Sequence, residues 1–236
     1  MSSTRILNAD VASVSNGDLT FVETNHVPTN ILPLFVDLRQ RMPPVPDQGT
    51  LGTNTAQILC STYRYVYPQL NPSPLFTHYN IQEQKNVAEA LKIVQKTGFC
   101  AEENWPYNAE KVDVKPSEVC YTNSLAKVVV RNVRQDLNSM LNALNEGIPF
   151  FATIAVYPAF TNVIVAKTGK IPLPARDAKP IGGQVVLVCG YDSRTQMWQC
   201  QNSWGKDWGE KGYCSLPFLY LLDTSLCSDL WCFVKA

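Results

Sequence analysis

The strongest constraint on this chain is a change in hydrophobic period part-way along it. In the first half, apolar residues recur three and four apart, the spacing of a helix with one buried face. Ala56, Leu59, Cys60, Tyr63 and Val66 follow that spacing, with Thr53 placed as an N-cap and Pro68 closing the segment. A second helix is expected from Leu75 to about Gln84. A third starts at Asn86, with Glu89 as capping-box partner, Val87, Ala90, Leu91 and Val94 as buried stripe, and Gly98 as stop. Past residue 125, short apolar runs take over: Val128 to Val130, Phe150 to Val156, Val185 to Gly190, Trp198 to Trp204, Tyr213 to Leu216 and Leu230 to Val234. One helix interrupts them, capped by Asp136, with Leu137, Met140, Leu141 and Leu144 inward and Gly147 at its end. A helical half followed by a strand-rich half predicts an α+β fold of two lobes, 37–125 and 126–236, behind a polar N-terminal arm, 1–36.

At 236 residues the chain can bury a sizeable core without metal or disulfide staples. Lys+Arg and Asp+Glu both count 20, so charge gives no argument for nucleic acid or an anionic membrane; a near-neutral surface favours association with protein. The N-terminus lacks the apolar core of a signal peptide, and no run is long enough to span a bilayer. The expectation is an intracellular protein that is not secreted, with its eight cysteines as thiols. Their spacing is irregular and the chain has two histidines, so neither a metal site nor a cofactor is expected. Cys100 and Cys120 flank one loop and can approach each other, with free thiols the preferred reading. Within that loop Trp105-Pro106-Tyr107 is expected to pack as a plug.

Several motifs sit on this frame: Asp37-Leu38-Arg39, Asp47-Gln48-Gly49, the helix from Thr53, Gly182-Gly183, Gly190-Tyr191-Asp192, and Asn202-Ser203-Trp204-Gly205 followed by Trp208-Gly209 and Gly212-Tyr213. From about Val36 to Val234 the chain resembles the papain-like cysteine peptidases, and the last block is the most specific part of that resemblance. Positions 184 and 202 lie downstream of 54 by the interval usual in that family, roughly 130–150 residues. The wording Met42-Pro43-Pro44-Val45 resembles a branch found in bacteria and large DNA viruses that lacks a long inhibitory pro-segment. The resemblance implies a helical lobe and a β-barrel-like lobe meeting at a cleft.

It also implies a chemistry. A thiolate at a helix N-terminus is stabilised by the helix dipole and an imidazolium, the imidazole shuttles the proton, an Asn orients it, and a Gln side chain helps to hold the oxyanion. Carried over by position, Gln48 matches the oxyanion Gln and Asn202 the orienting Asn. Asn54 stands at the nucleophile position and Gln184 at the position of the base. A neutral amide is a poor nucleophile, and Gln184 does not titrate. Leu51 replaces a cysteine that forms a disulfide in secreted relatives, and Thr55 replaces the aromatic that usually follows the nucleophile. The four positions are therefore read as a degenerate site, with buried amides bridging the lobes and Asn54 hydrogen-bonding Gln184.

Other residues carry weaker signals. Cys60 and Cys189 read as core, His26 and His78 as structural or surface residues, and Trp204 and Trp208 as lobe core. Cys200, two residues before Asn202, is the thiol that a residual peptidase would have to use. The expected function is a pseudopeptidase serving as a structural or protein-binding module, such as a minor capsid or scaffold protein of a virion. The alternatives are that residual peptidase, or a regulator that binds an extended peptide in the cleft. Partners are expected to be proteins, including assembly proteins, with the N-terminal arm a candidate for outward contacts. The proline-bearing loop Gly169 to Gly183 is a candidate to lie across the cleft.

Overall fold

The structure is a computed structural model and describes residues 5–7, 9, 27–84 and 86–236. It opens with strand β1 (Phe35–Asp37), then helices α1 (Asn54–Val66), α2 (Pro74–Ile81), α3 (Val87–Thr97) and α4 (Glu118–Thr122). Strand β2 (Val128–Asn132), helix α5 (Leu137–Asn145) and strand β3 (Phe150–Val156) follow, then α6 (Val163–Thr168) and β4 (Gly182–Asp192). The chain ends with β5 (Met197–Gln201), β6 (Tyr213–Pro217), α7 (Phe218–Leu222) and β7 (Cys227–Lys235). The strands form one antiparallel sheet in the order β2-β7-β3-β4-β5-β6, with β1 added to β4.

Local chemistry explains the best-formed helices. Asn86 accepts the Glu89 N–H at 2.9 Å and Asp136 accepts the Ser139 N–H at 2.8 Å, so both predicted caps form. Gly98 ends α3 at φ 71°, where only glycine is unstrained, and Val87, Ala90, Leu91 and Val94 are all buried. Thr53 does occupy the N-cap of α1, but its side chain makes no cap bond: its hydroxyl pairs with Tyr107 Oη at 2.7 Å.

The sheet is buried on both faces, which is why β3 reads as a continuous apolar run. One face packs with α5 and α7 around Met140, Phe150, Trp198 and Leu221. The other receives the helical lobe, where Ile58, Leu59, Tyr63 and Val94 meet Phe151, Val185, Leu187 and Phe233. A third cluster holds Leu75, Phe76, Trp105, Cys100 and Cys120. Trp105 thus packs as the expected plug, and both cysteines are buried free thiols.

Three expectations change. Residues 35–37 were divided between the arm and the helical lobe; instead they extend the sheet, pairing with the half of β4 that β3 leaves open. The predicted run from Trp198 to Trp204 is a strand only to Gln201, because the chain then turns to carry Asn202 and Ser203 to the lobe boundary. The loop ahead of β4 does not cross that boundary. Ile171 N–H bonds Ser215 O at 2.8 Å and Ile181 N–H bonds Val156 O at 2.7 Å, which ties the loop to the β lobe.

Candidate functional site

The structure brings together the four positions singled out in the sequence. Asn54 is the first residue of α1, Gln184 sits near the start of β4, Asn202 follows β5, and Gln48 lies in the segment just before α1. All four are fully buried. Asn54 Nδ2 donates to Gln184 Oε1 at 2.9 Å, and Gln184 Nε2 donates to Asn202 Oδ1 at 2.7 Å and Ser203 Oγ at 2.9 Å. Ser203 Oγ donates onward to Gln48 Oε1 at 2.7 Å. Each side-chain bond joins complementary donors and acceptors, so the chain from Asn54 to Gln48 stitches the start of α1 to two segments of the β lobe. Sequence reasoning missed Ser203; the signal was its place inside the Asn-Ser-Trp-Gly block, read there only as a motif letter.

The boundary is also crossed by the chain's own N-terminal residues. Arg5 Nη1 donates to Asp47 Oδ1 at 2.8 Å and Gly49 O at 2.6 Å, while its Nη2 donates to Trp204 O at 3.0 Å. Gln48 Nε2 donates to Ile6 O at 3.2 Å, and the Ala9 N–H reaches Gly183 O at 3.5 Å. A Cβ on Gly183 would lie 1.7 Å from Ala9 O, and one on Gly182 would lie 2.6 Å from Leu7 Cβ. The paired glycines let this segment pass close against β4. Residues 5–7 and 9, expected in an arm suited to outward contacts, are directed inward, because Arg5 finds three acceptors at the boundary. His26 lies outside the described residues.

Residues 83–218, more than half of the chain, match the papain family of cysteine proteases. The chain belongs to that family. An uncharacterized peptidase C1-like protein of Acanthamoeba polyphaga mimivirus is 29% identical, over 90% of this chain and 78% of its own length. The crystal structure of xylellain, a cysteine protease from Xylella fastidiosa, superposes with a TM-score of 0.85 at 26% identity, covering 100% of this chain and 99% of xylellain. A procathepsin B from Trypanosoma congolense shares the fold with a TM-score of 0.71 at 18% identity, covering 98% of this chain and 85% of its own.

For a papain-family protein the remaining titratable groups are poorly placed. Cys200 faces Cys214 across β5 and β6 in the lobe core, and burial beside that second thiol raises its pKa well above the usual thiol value. Cys60 is pushed up to about 12, mainly by burial, and burial likewise raises Cys189. Burial thus disfavours the thiolate form at each of these three positions. His78 lies in α2, where burial lowers its pKa and Asp113 partly offsets this. It shares a small pocket with Ala9 and Thr55 and makes no bond to the four amides. Trp204 packs edge-on to Phe160 and Trp208, as lobe core. Among the described residues no His/Cys/Asp/Glu group is arranged to hold a metal ion, and no helix is long and apolar enough to cross a membrane.

Proposed function

We propose that this papain-family chain is a pseudopeptidase that uses its two-lobe scaffold as a structural or protein-binding module. The observation that carries the reading is the hydrogen-bonded chain Asn54–Gln184–Asn202/Ser203–Gln48, in which Asn202 Nδ2 alone is left without a partner. It stands at the helix start and strand start where the family's chemistry requires a thiolate and an imidazole. An amide pair provides neither an attacking electron pair nor a proton acceptor near neutral pH, so the covalent route lacks both its first and its second component. What it does supply is a contact between the lobes that does not depend on pH. The N-terminal residues support the same reading, since Arg5 and the Ile6 carbonyl bond the segment that carries Gln48 and Ala9 bonds the start of β4.

The test is turnover of a broad fluorogenic peptide library by the full-length protein. The expected result is no cleavage above the rate in buffer. Cleavage that disappears on a single Cys→Ala change would replace this reading with a residual cysteine peptidase. The mimivirus relative supports a virus particle as the setting, in a minor capsid or scaffold role. Fixed stoichiometry by quantitative mass spectrometry of purified virions is the expected result there, and absence from them would remove that part of the reading.

A further inference from the structure

Helix α1 continues its polar face beyond Asn54. Gln57, Cys60, Ser61 and Arg64 fall at i, i+3, i+4 and i+7, one face of the helix. Gln57 is 5% exposed and Ser61 4%, a degree of burial that polar side chains ordinarily reach only with partners in place. Gln57 lies by the Tyr107 hydroxyl. The Ser61 hydroxyl and the Arg64 guanidinium have no hydrogen-bond or ion-pair partner among the described residues, and Arg64 Nε is fully buried.

Cys60, at the edge of this face, also packs in the helical core, while the polar members of the face do not. The face lines a pocket of about 260 Å³ together with Glu102, Pro44, Pro46, Pro72 and Pro74. Glu102 Oε1 accepts the Tyr107 N–H at 2.8 Å; its Oε2 is buried without a hydrogen bond, because the nearby Ser73 hydroxyl donates to Trp105 O, and burial raises the carboxyl's pKa. Arg64 and Glu102 form no ion pair with each other. Asp47, also at the rim, is already paired with Arg5. One open pocket therefore brings together a cation and an anion, neither of them ion-paired, among prolines that stiffen its lining.

We infer that this pocket binds a free α-amino acid, with its carboxylate on the Arg64 guanidinium and its ammonium group on the Glu102 carboxylate. A simple anion would face Glu102, and a simple cation would face Arg64, so only a ligand carrying both signs satisfies both walls. The guanidinium fork matches a carboxylate through two parallel bonds, and an ammonium offers three donors to a carboxylate. The volume falls just below the range for drug-sized ligands, about 300–1,000 Å³, which fits a single small metabolite. The Ser61 hydroxyl supplies a further polar contact. The pocket shares no residue with the four amides, so this inference does not rest on the pseudopeptidase reading. Tyr107 borders the pocket and also bonds the loop carrying Gln48, its hydroxyl donating to Gln48 O at 3.0 Å.

The experiment is calorimetric titration of the full-length protein with each common L-amino acid at up to millimolar concentration. Any binder is then compared with its methyl ester and its des-amino acid. At least one amino acid binds saturably, and each blocked analogue binds about tenfold or more weakly, because each leaves one buried charge unpaired. Arg64→Met and Glu102→Gln weaken binding to a similar degree, and Ser61→Leu, which fills the pocket without touching either charge, abolishes it. Absence of binding by every amino acid would overturn the inference. Binding that survives both Arg64→Met and Ser61→Leu in folded protein would also overturn it, by placing the ligand elsewhere.

Discussion

Helix α1 presents two buried polar regions with opposite bookkeeping. At its start, Asn54 belongs to a hydrogen-bonded chain whose side chains complement one another across the lobe boundary. Further along the same face, Ser61 and Arg64 look into a pocket without partners. The amides are fully buried and all but Asn202 Nδ2 are hydrogen-bonded, whereas Arg64 is only partly buried and has no side-chain partner among the described residues. A buried polar group whose bonds close within the chain is holding the fold together, whereas one whose bonds do not close is waiting for something. The amide chain is therefore read as structure and the proline-rimmed pocket as a binding site, which reverses the order that the family resemblance alone suggests.

The largest expected effect breaks the closed region. Gln184→Leu removes one bond each from Asn54 Nδ2, Asn202 Oδ1 and Ser203 Oγ, which keep their bonds to Gly183 O, the Ser203 N–H and Gln48 Oε1, and it is expected to cost about 2–3 kcal/mol in urea denaturation. A loss below about 1 kcal/mol would mean that the four amides are incidental to stability. A smaller effect comes from Gly183→Ala. The added Cβ collides with Ala9 O, so residues 5–9 leave β4 while the sheet stays intact. Faster amide exchange and proteolysis confined to the N-terminal residues are expected, with a stability loss of about 1 kcal/mol; unchanged protection of that segment would contradict the contact.

Titration sharpens the contrast further. The four amides do not ionise, so their contribution is the same across the pH range. Asp229 is different: it is 2% exposed, accepts Ser228 Oγ at 3.0 Å, and burial raises its pKa. A carboxyl raised on folding contributes stability that is fully present below its unfolded value, about 3.9, and lost as pH rises through the raised folded value. Wild type should therefore lose stability relative to Asp229→Asn over that window, whereas Gln184→Leu should shift stability equally at every pH. The smallest expected effect is Arg64→Met, which removes an unpartnered guanidinium and should change stability by no more than about 0.5 kcal/mol. A loss above about 2 kcal/mol would show that Arg64 has a structural partner after all and would erase the distinction between the two regions.

How much of this was legible beforehand follows the physics of each element. α3 could be placed almost to the residue because Asn86, Glu89, the buried stripe and Gly98 agree with one another. α4, α6 and α7 are five or six residues long and went unread, since helices so short are held by tertiary contacts rather than by their own period. The four amides were readable one by one through the motifs, and so was the bond between Asn54 and Gln184. The link through Ser203 was not, because a serine carries no period and only the turn after β5 brings it to Gln48. The pocket on α1 was hidden for a related reason. Cys60 fits the apolar stripe of the helix, and nothing in the local sequence marks Gln57 and Ser61 as lining a pocket with Glu102 and the prolines, which come from distant segments.

The central claim is that the site at the start of α1 holds an amide lock in place of a nucleophile and a base. Its most direct test is intact-protein mass spectrometry after incubation with a peptidyl vinyl sulfone, comparing wild type with the Asn54→Cys/Gln184→His/Arg5→Ala variant. Arg5→Ala is included because Arg5 anchors the segment that crosses the boundary. The account predicts no adduct on wild type and a single adduct at position 54 of the variant. An adduct on wild type, at any of its cysteines and dependent on the peptide portion of the probe, would contradict it.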